Sequence, residues 1–416
     1  MNYKKISKSN YDIYYIKDDK FKTNYISTAF INDYDDKDIS KEKVISSLLV
    51  NSTKEYNTEV LMNKKIMELY KPLIDIYDVF KDKHTRWIDI TFLDEKYTEQ
   101  GMNKKTIDFY YSLVFKPNVN NNSFNIDNLN IIKKSLLASI KLQKENPSYL
   151  SFRYAYKNIS GNSPLKKDLF LKSSYIRKYT PEELYQYYKK LIKKSKVVVF
   201  VIGNNVDEII KAIEDNLDKK VYKNEYEIIK NFEVSKVIKP RTIIKETDFN
   251  QSIVYIFYKL MNLTNREKNV VLPIFNYILG GSSSKLFNNV REKNSLAYYV
   301  YSDFYDIENI LYLTAGIQKS NFEKTVELMK EQVEEMKNGN ITEMEINNSK
   351  EFFVSKLLAV DDSFYMKISN LVGHIAYDRI LYDEKEKEFL SVTKDEIITL
   401  ANKLDLDFVY LFGGVS

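Results

Sequence analysis

Apolar residues recur with two different periods along this chain, and the switches between them mark out its elements. Strand-like runs occur at Tyr11–Ile16, Thr23–Ile31 and Arg86–Phe92. The longest unbroken apolar run, Val197 to Ile202, reads as a buried strand ending at Gly203. Helical spacing predicts helices over Lys41–Val50, with Ser40 as N-cap, and over Asn57–Tyr70, where Val60, Leu61, Lys64 and Met67 share a stripe. Further helices are expected at about 103–116, 126–145 and 148–158, and over Val206–Leu217. Thr180-Pro181-Glu182-Glu183 has the cap, first-turn proline and early acids of a helix start. In the second half the strand Ser252–Tyr258 precedes a helix, Arg266–Leu279, closed by Gly280-Gly281. A short helix is expected over Ser282–Val290, then a hairpin of Ala297–Tyr305 with Ile310–Ile317. Helices at about 321–337, 342–358, 364–381 and 393–403 lead to a last strand, Phe408–Phe412.

This series repeats itself at an offset of about 225 residues. Lys41-Glu42-Lys43 and Arg266-Glu267-Lys268 each open a helix after a strand, and Trp87–Phe92 corresponds to Tyr312–Ile317. Both halves end in a helix and then an apolar strand running into glycine. Residues 219–248 lack a clean period, are rich in Lys, Glu and Ile, and read as a linker between a domain at 1–218 and another at 249–416. The fold class expected is α+β: two homologous domains, each a mainly antiparallel sheet with helices packed on one face.

Composition removes several chemistries. There is no cysteine among the 416 residues, which excludes disulfides, thiolate catalysis and Cys-ligated metals and suits a cytoplasmic location. His84 and His374 are the sole histidines, too few for most imidazole-based sites. With 63 basic and 58 acidic residues interspersed, the chain has no basic footprint for nucleic acid. No apolar run approaches the roughly 20 residues of a membrane helix, and the N-terminus has no apolar signal core. The acidic stretch 33–38 lacks the glycine and closing glutamate of a calcium loop and reads as a solvated turn. The Gly280–Ser284 loop has no P-loop ending, so it does not predict nucleotide binding.

One block is specific. It runs from Leu279-Gly280-Gly281-Ser282-Ser283-Ser284 through a short helix to Arg291, and on to Tyr298 in the next strand. The block resembles the C-terminal domain of the pitrilysin/insulinase/mitochondrial processing peptidase family. Asn146-Pro147-Ser148, Tyr179–Leu184 and Val197–Asn204 are similar to the N-terminal domain of that family. The resemblance implies that Arg291 and Tyr298 contact substrate and hydrogen-bond a peptide, beside a loop of Gly280, Gly281 and Ser282.

Active members carry an inverted H-x-x-E-H zinc motif on the first helix of the N-terminal domain. Here that helix continues Val44-Ile45-Ser46-Ser47-Leu48-Leu49-Val50-Asn51-Ser52, without histidine or carboxylate. No metal or other cofactor is therefore expected in this chain. His84 is expected at a domain boundary or surface, and His374 in core or interface packing. The resemblance implies a catalytically incomplete subunit that dimerises with a zinc-bearing paralogue carrying H-x-x-E-H and completes its peptide-cleaving site. The alternative is a structural or peptide-binding homologue with no part in catalysis.

Overall fold

The computed structural model describes residues 1–167, 170–218, 220–222, 237 and 239–414. The chain divides into two compact units, residues 2–142 with 168–227 and residues 143–167 with 228–416. Each has its own apolar core.

The first unit contains strands β1 (Lys4–Ser7), β2 (Tyr11–Lys17), β3 (Thr23–Asn32), β4 (Leu73–Phe80) and β5 (His84–Leu93). A two-residue ribbon, β6 (Val119–Asn120) with β7 (Ser123–Phe124), precedes β8 (Lys196–Gly203). The sheet has the order β1-β2-β8-β3-β5-β4. Its β2–β8 pair is parallel and the others antiparallel. The second unit contains β9 (Arg241–Glu246), β10 (Ser252–Leu260), β11 (Ala297–Tyr305), β12 (Ile310–Ile317) and β13 (Leu404–Gly413), in the order β11-β12-β10-β13-β9. There β13–β9 is the parallel pair. Strand for strand, β2-β8-β3-β5-β4 has the order and directions of β9-β13-β10-β12-β11. The two halves are thus one α+β plan used twice, and β1 is an addition to the first.

The first helix, Ile39–Asn51, follows β3 and buries Val44, Ile45, Leu48 and Leu49 against the sheet. It starts at Ile39, so Ser40 is not its N-cap. The Ser40 hydroxyl is buried and accepts the Lys172 amide at 2.8 Å. The corresponding helix of the second unit follows β10. It opens as a π-turn, Glu267–Val271, and continues as Leu272–Gly280. Pro273 supplies no N–H to the carbonyl four residues back, and a wider turn accommodates that loss.

Two segments depart from the sequence reading. Arg241–Glu246 lies in the stretch read as linker, yet it is a strand, paired in parallel with β13. As an edge strand with basic and acidic side chains it carries too little apolar alternation to declare itself. Residues 219, 223–236 and 238 of that stretch lie outside the described residues. Helix Pro147–Tyr156 and the loop after it, placed with the first domain by the sequence, belong by their contacts to the second unit.

That segment covers the face of the second sheet opposite the main helices. Along β10, Val254, Ile256 and Tyr258 enter the helical core, while Ile253, Tyr255 and Phe257 enter a separate aromatic layer with Tyr156 and Phe408. Phe257 stacks on Phe408 with centroids 4.7 Å apart and planes 9° from parallel. Polar bonds fix the segment. Buried Asp407 accepts the Ser160 amide at 2.8 Å and its hydroxyl, and Lys259 donates to the Ser160 carbonyl at 2.6 Å. Phe257→Ala should destabilise this unit by about 3–5 kcal/mol, the usual cost of deleting a buried phenylalanine. Urea denaturation followed by tyrosine fluorescence should show a lower midpoint for one transition.

Candidate functional site

Two places in the chain concentrate chemistry. The first lies where the first helix crosses the β4–β5 hairpin. On β5, His84 and Arg86 are in phase with the inward residues Ile88, Ile90 and Phe92, so all five point into the core. Asp78 of β4 pairs in register with Arg86. The Arg86 guanidinium is completely enclosed. Its Nη2 donates to Glu42 Oε2 at 2.6 Å and to the Glu42 carbonyl at 3.0 Å, and its Nε to Ser46 Oγ at 2.7 Å and Asp78 Oδ1 at 3.2 Å. His84 Nε2 lies 2.8 Å from Asp78 Oδ1 and its Nδ1 3.6 Å from Glu42 Oε1. Tyr187 donates to Glu42 Oε1 at 2.5 Å.

These charges depend on one another. Burial opposes ionisation of Asp78, but Arg86 and His84 more than offset it, and the carboxyl is held below its usual range. An ionised Asp78 can only accept, so His84 Nε2 carries a proton. Burial likewise opposes the Arg86 charge, and Asp78 and Glu42 outweigh it. His84 is therefore neither a boundary nor a surface residue, as its sequence context suggested. It has no exposure at all, because its place in the alternation of β5 points it inward. The helix does carry a buried carboxylate, Glu42, in its first turn, inside the predicted span but ahead of the stretch from Val44 in which the zinc motif was sought.

The second place is the Arg/Tyr block. Ser282 and Ser283 form a turn, and the short helix begins at Lys285, later than expected, winding as a π-helix over Phe287–Glu292. Arg291 is exposed on its last turn, over the ring of Phe287 at 5.2 Å. Among the described residues it has no ion-pair partner. Tyr298 occupies a β-bulge: Ala297 opposes Ile317 and Tyr299 opposes Gly316, leaving Tyr298 opposite nothing. It is 60 % exposed and has no hydrogen-bond partner among the described residues. Gly280 is buried, and a Cβ there would stand 2.2 Å from the Ser302 amide nitrogen, so close packing of helix on β11 accounts for this glycine. Gly281 is packed on Tyr277, and Ser282 is exposed. His374 is half-buried, with Nδ1 2.8 Å from the Arg379 carbonyl. No helix among the described residues is long and apolar enough to cross a membrane.

Comparison with known proteins places these features. The family described as the peptidase M16 inactive domain matches residues 178–353. The Bacillus subtilis (strain 168) protein named probable inactive metalloprotease YmfF is 26% identical over 409 residues, which are 96% of this chain and 95% of that protein. Helicobacter pylori (strain ATCC 700392 / 26695) has a protein named non-peptidase homolog YmxG, 24% identical over 313 residues, 71% of this chain and 69% of its own. The crystal structure of a conserved protein from Enterococcus faecalis V583 superposes with a TM-score of 0.90 at 22% identity, covering 100% of this chain and 99% of that one. The peptidase M16 inactive domain from Pseudomonas fluorescens superposes with a TM-score of 0.78 at 16% identity, covering 100% of this chain and 98% of its own.

Fold and site together define a metallopeptidase scaffold whose first helix lacks the zinc motif. Residues 178–353 match the M16 inactive-domain family, and along most of its length the chain is similar to relatives named as inactive metalloprotease or non-peptidase homologue.

Zinc, which the family implies for this helix, does not fit the residues present. The helix supplies no imidazole, and both carboxylates facing it are already bonded to a permanent cation, Arg86. Arg86→Met should cost about 3–5 kcal/mol, since Glu42 and Asp78 would be left as buried charges without a partner. Adding Glu42→Gln and Asp78→Asn should restore much of that loss in thermal denaturation. The stability due to Asp78 is present above its unfolded pKa near 4. It is lost as pH falls through the lower folded value, so Asp78→Asn should flatten the acid limb of the stability curve.

Proposed function

We propose that this chain is the zinc-less subunit of a two-chain peptidase and presents Arg291 and Tyr298 to peptide held at a partner's metal. The partner is a paralogue carrying H-x-x-E-H. The observation that carries this reading is that both side chains stand in solvent, free of intrachain polar partners among the described residues. A structural arginine or tyrosine would ordinarily be tied to a neighbour. The bulge at Tyr298 supports the reading too, because bulges re-aim a side chain at the cost of a ladder hydrogen bond.

The chemistry follows from the groups themselves. When a peptide bond is attacked, negative charge develops on the carbonyl oxygen. A guanidinium offers fork-shaped donors that match peptide carbonyls, and a phenol offers one more. Arg291 and Tyr298 are seven positions apart, with Ser295 turning the chain in the left-handed region at φ 50°. One extended peptide spans such a pair. Ser282, exposed on the turn before the short helix, is a further contact in this proposal.

The test is reconstitution with an H-x-x-E-H paralogue from the same genome. The pair should cleave unstructured peptides, and neither chain alone should match it. Arg291→Ala should lower turnover on the order of 100-fold, as loss of one oxyanion donor does, with the pair still assembled by size-exclusion chromatography. Tyr298→Phe should lower it as well. Unchanged turnover in both variants within an intact pair would leave this chain a structural or peptide-binding role only.

A further inference from the structure

A pocket of about 470 Å³ opens in the second unit beside the Gly280–Ser284 loop. It lies between the helix Leu272–Gly280 and the helix Glu343–Val360. Tyr277 lines it from the first helix and Ser283 from the loop, and Glu345, Asn348, Glu351 and Phe352 line it from the second helix. Positions 345, 348 and 352 recur three or four residues apart, so they share one helix face. We propose that this pocket takes the cationic side chain of an arginine or lysine from the peptide that Arg291 and Tyr298 contact, with Glu351 as its counterion. The proposal deepens the function given above and rests on its peptide-binding part, not on catalysis.

Charge is the first argument. The lining holds two carboxylates and no lysine or arginine. Glu345 is already committed. Its Oε1 lies 3.1 Å from Lys285 Nζ, and its Oε2 accepts the Thr342 amide at 2.8 Å. Burial opposes its ionisation, but those bonds outweigh it and hold the carboxyl below its usual range. Glu351 is exposed, and its carboxylate has no ion-pair or hydrogen-bond partner among the described residues. The helix explains why. Three and four positions from Glu351 stand Asn347, Asn348, Val354 and Ser355, so no base is placed to pair with it along the helix. Lys356, five positions on, lies over the Phe352 ring at 4.3 Å. The surface beside the pocket thus already attracts one ammonium.

The remaining lining suits the rest of such a side chain. The Asn348 amide and the Ser283 hydroxyl have no hydrogen-bond partner among the described residues, whereas Ser284 accepts the Phe287 amide and Ser355 donates to the Phe352 carbonyl. A guanidinium carries several N–H donors, and Glu351, Asn348 and Ser283 offer oxygens to share them. Tyr277 stacks on Phe352 with centroids 4.3 Å apart, an apolar wall for the aliphatic stem. The loop runs directly into the short helix that ends at Arg291. At the helical rise, Lys285 to Arg291 spans roughly 9 Å, which a few residues of extended peptide cover.

Fluorescence anisotropy on this chain alone separates the proposal from turnover in a reconstituted pair. The probes are labelled unstructured peptides, identical except for a central arginine, lysine or citrulline, the last being a neutral near-isostere of arginine. The arginine and lysine peptides should bind about fivefold tighter than the citrulline peptide, the gain an accessible ion pair supplies. Glu351→Gln should abolish that preference and leave citrulline binding unchanged, with circular dichroism as for wild type. Arg291→Ala should weaken all three peptides alike and preserve their ratio. Agmatine, a free guanidinium amine, should compete far more weakly than the arginine peptide. Equal binding of the arginine and citrulline peptides to wild type overturns the proposal, as does a preference that survives Glu351→Gln. So does a lack of saturable binding of the arginine peptide up to millimolar concentration. Agmatine competing as well as the peptide would mark a site for a free small cation and overturn it too. Failure of the reconstituted pair with the charge preference intact removes only the catalytic reading. Arg291-dependent turnover without a charge preference removes only this pocket.

Discussion

A guanidinium enclosed in a protein core needs acceptors within reach, and Arg86 makes that demand on the first unit. Arg86 draws acceptors from the first helix and from the neighbouring strand β4, and Tyr187 reaches the same carboxylate from the helix Pro181–Lys194. Helix, hairpin and the penultimate helix are thereby held at one point. Hydrophobic contacts tolerate sliding, whereas this bond set does not, because any shift strands a charge in the core. The helix that in active members of the family carries the zinc motif is, in this chain, one side of a structural ion cluster.

Much of the fold was open to a reader of the sequence. The hairpin of β11 and β12 was bounded correctly because both strands are rich in aromatic or branched residues and a left-handed Asn309 lies in the turn between them. The duplication was visible because helix starts and closing strands recur at a constant offset. Edge strands were the weak point. β4 carries Asp75 and Asp78, and β9 carries Arg241, Lys245 and Glu246, so neither shows an apolar face strong enough to stand out. Nor could the sequence assign Pro147–Tyr156 to its unit, since an amphipathic helix does not say which sheet it covers.

The candidate residues divide along the same lines. Arg291 and Tyr298 were legible because they sit in a long matching block, and their exposure required only that nothing nearby claim them. The Arg86 cluster was missed although a signal existed. His84 and Arg86 fall at every second position with Ile88, Ile90 and Phe92, so their phase already placed them inside. Reading His84 against its sequence neighbours, and not against the strand's period, put it at the surface. A charged residue in phase with core positions needs a buried counterion, and that counterion, Asp78, was hidden on an edge strand.

The bulge at Tyr298 also bears on solubility. β11 is the outer strand of its sheet and carries four tyrosines. A straight, aromatic-rich border of unpaired amides invites another molecule to add on and continue the sheet. One extra residue breaks the spacing of those amides and turns the border away from any straight partner strand. The same irregularity that lifts a phenol into solvent therefore also guards this rim against runaway self-association.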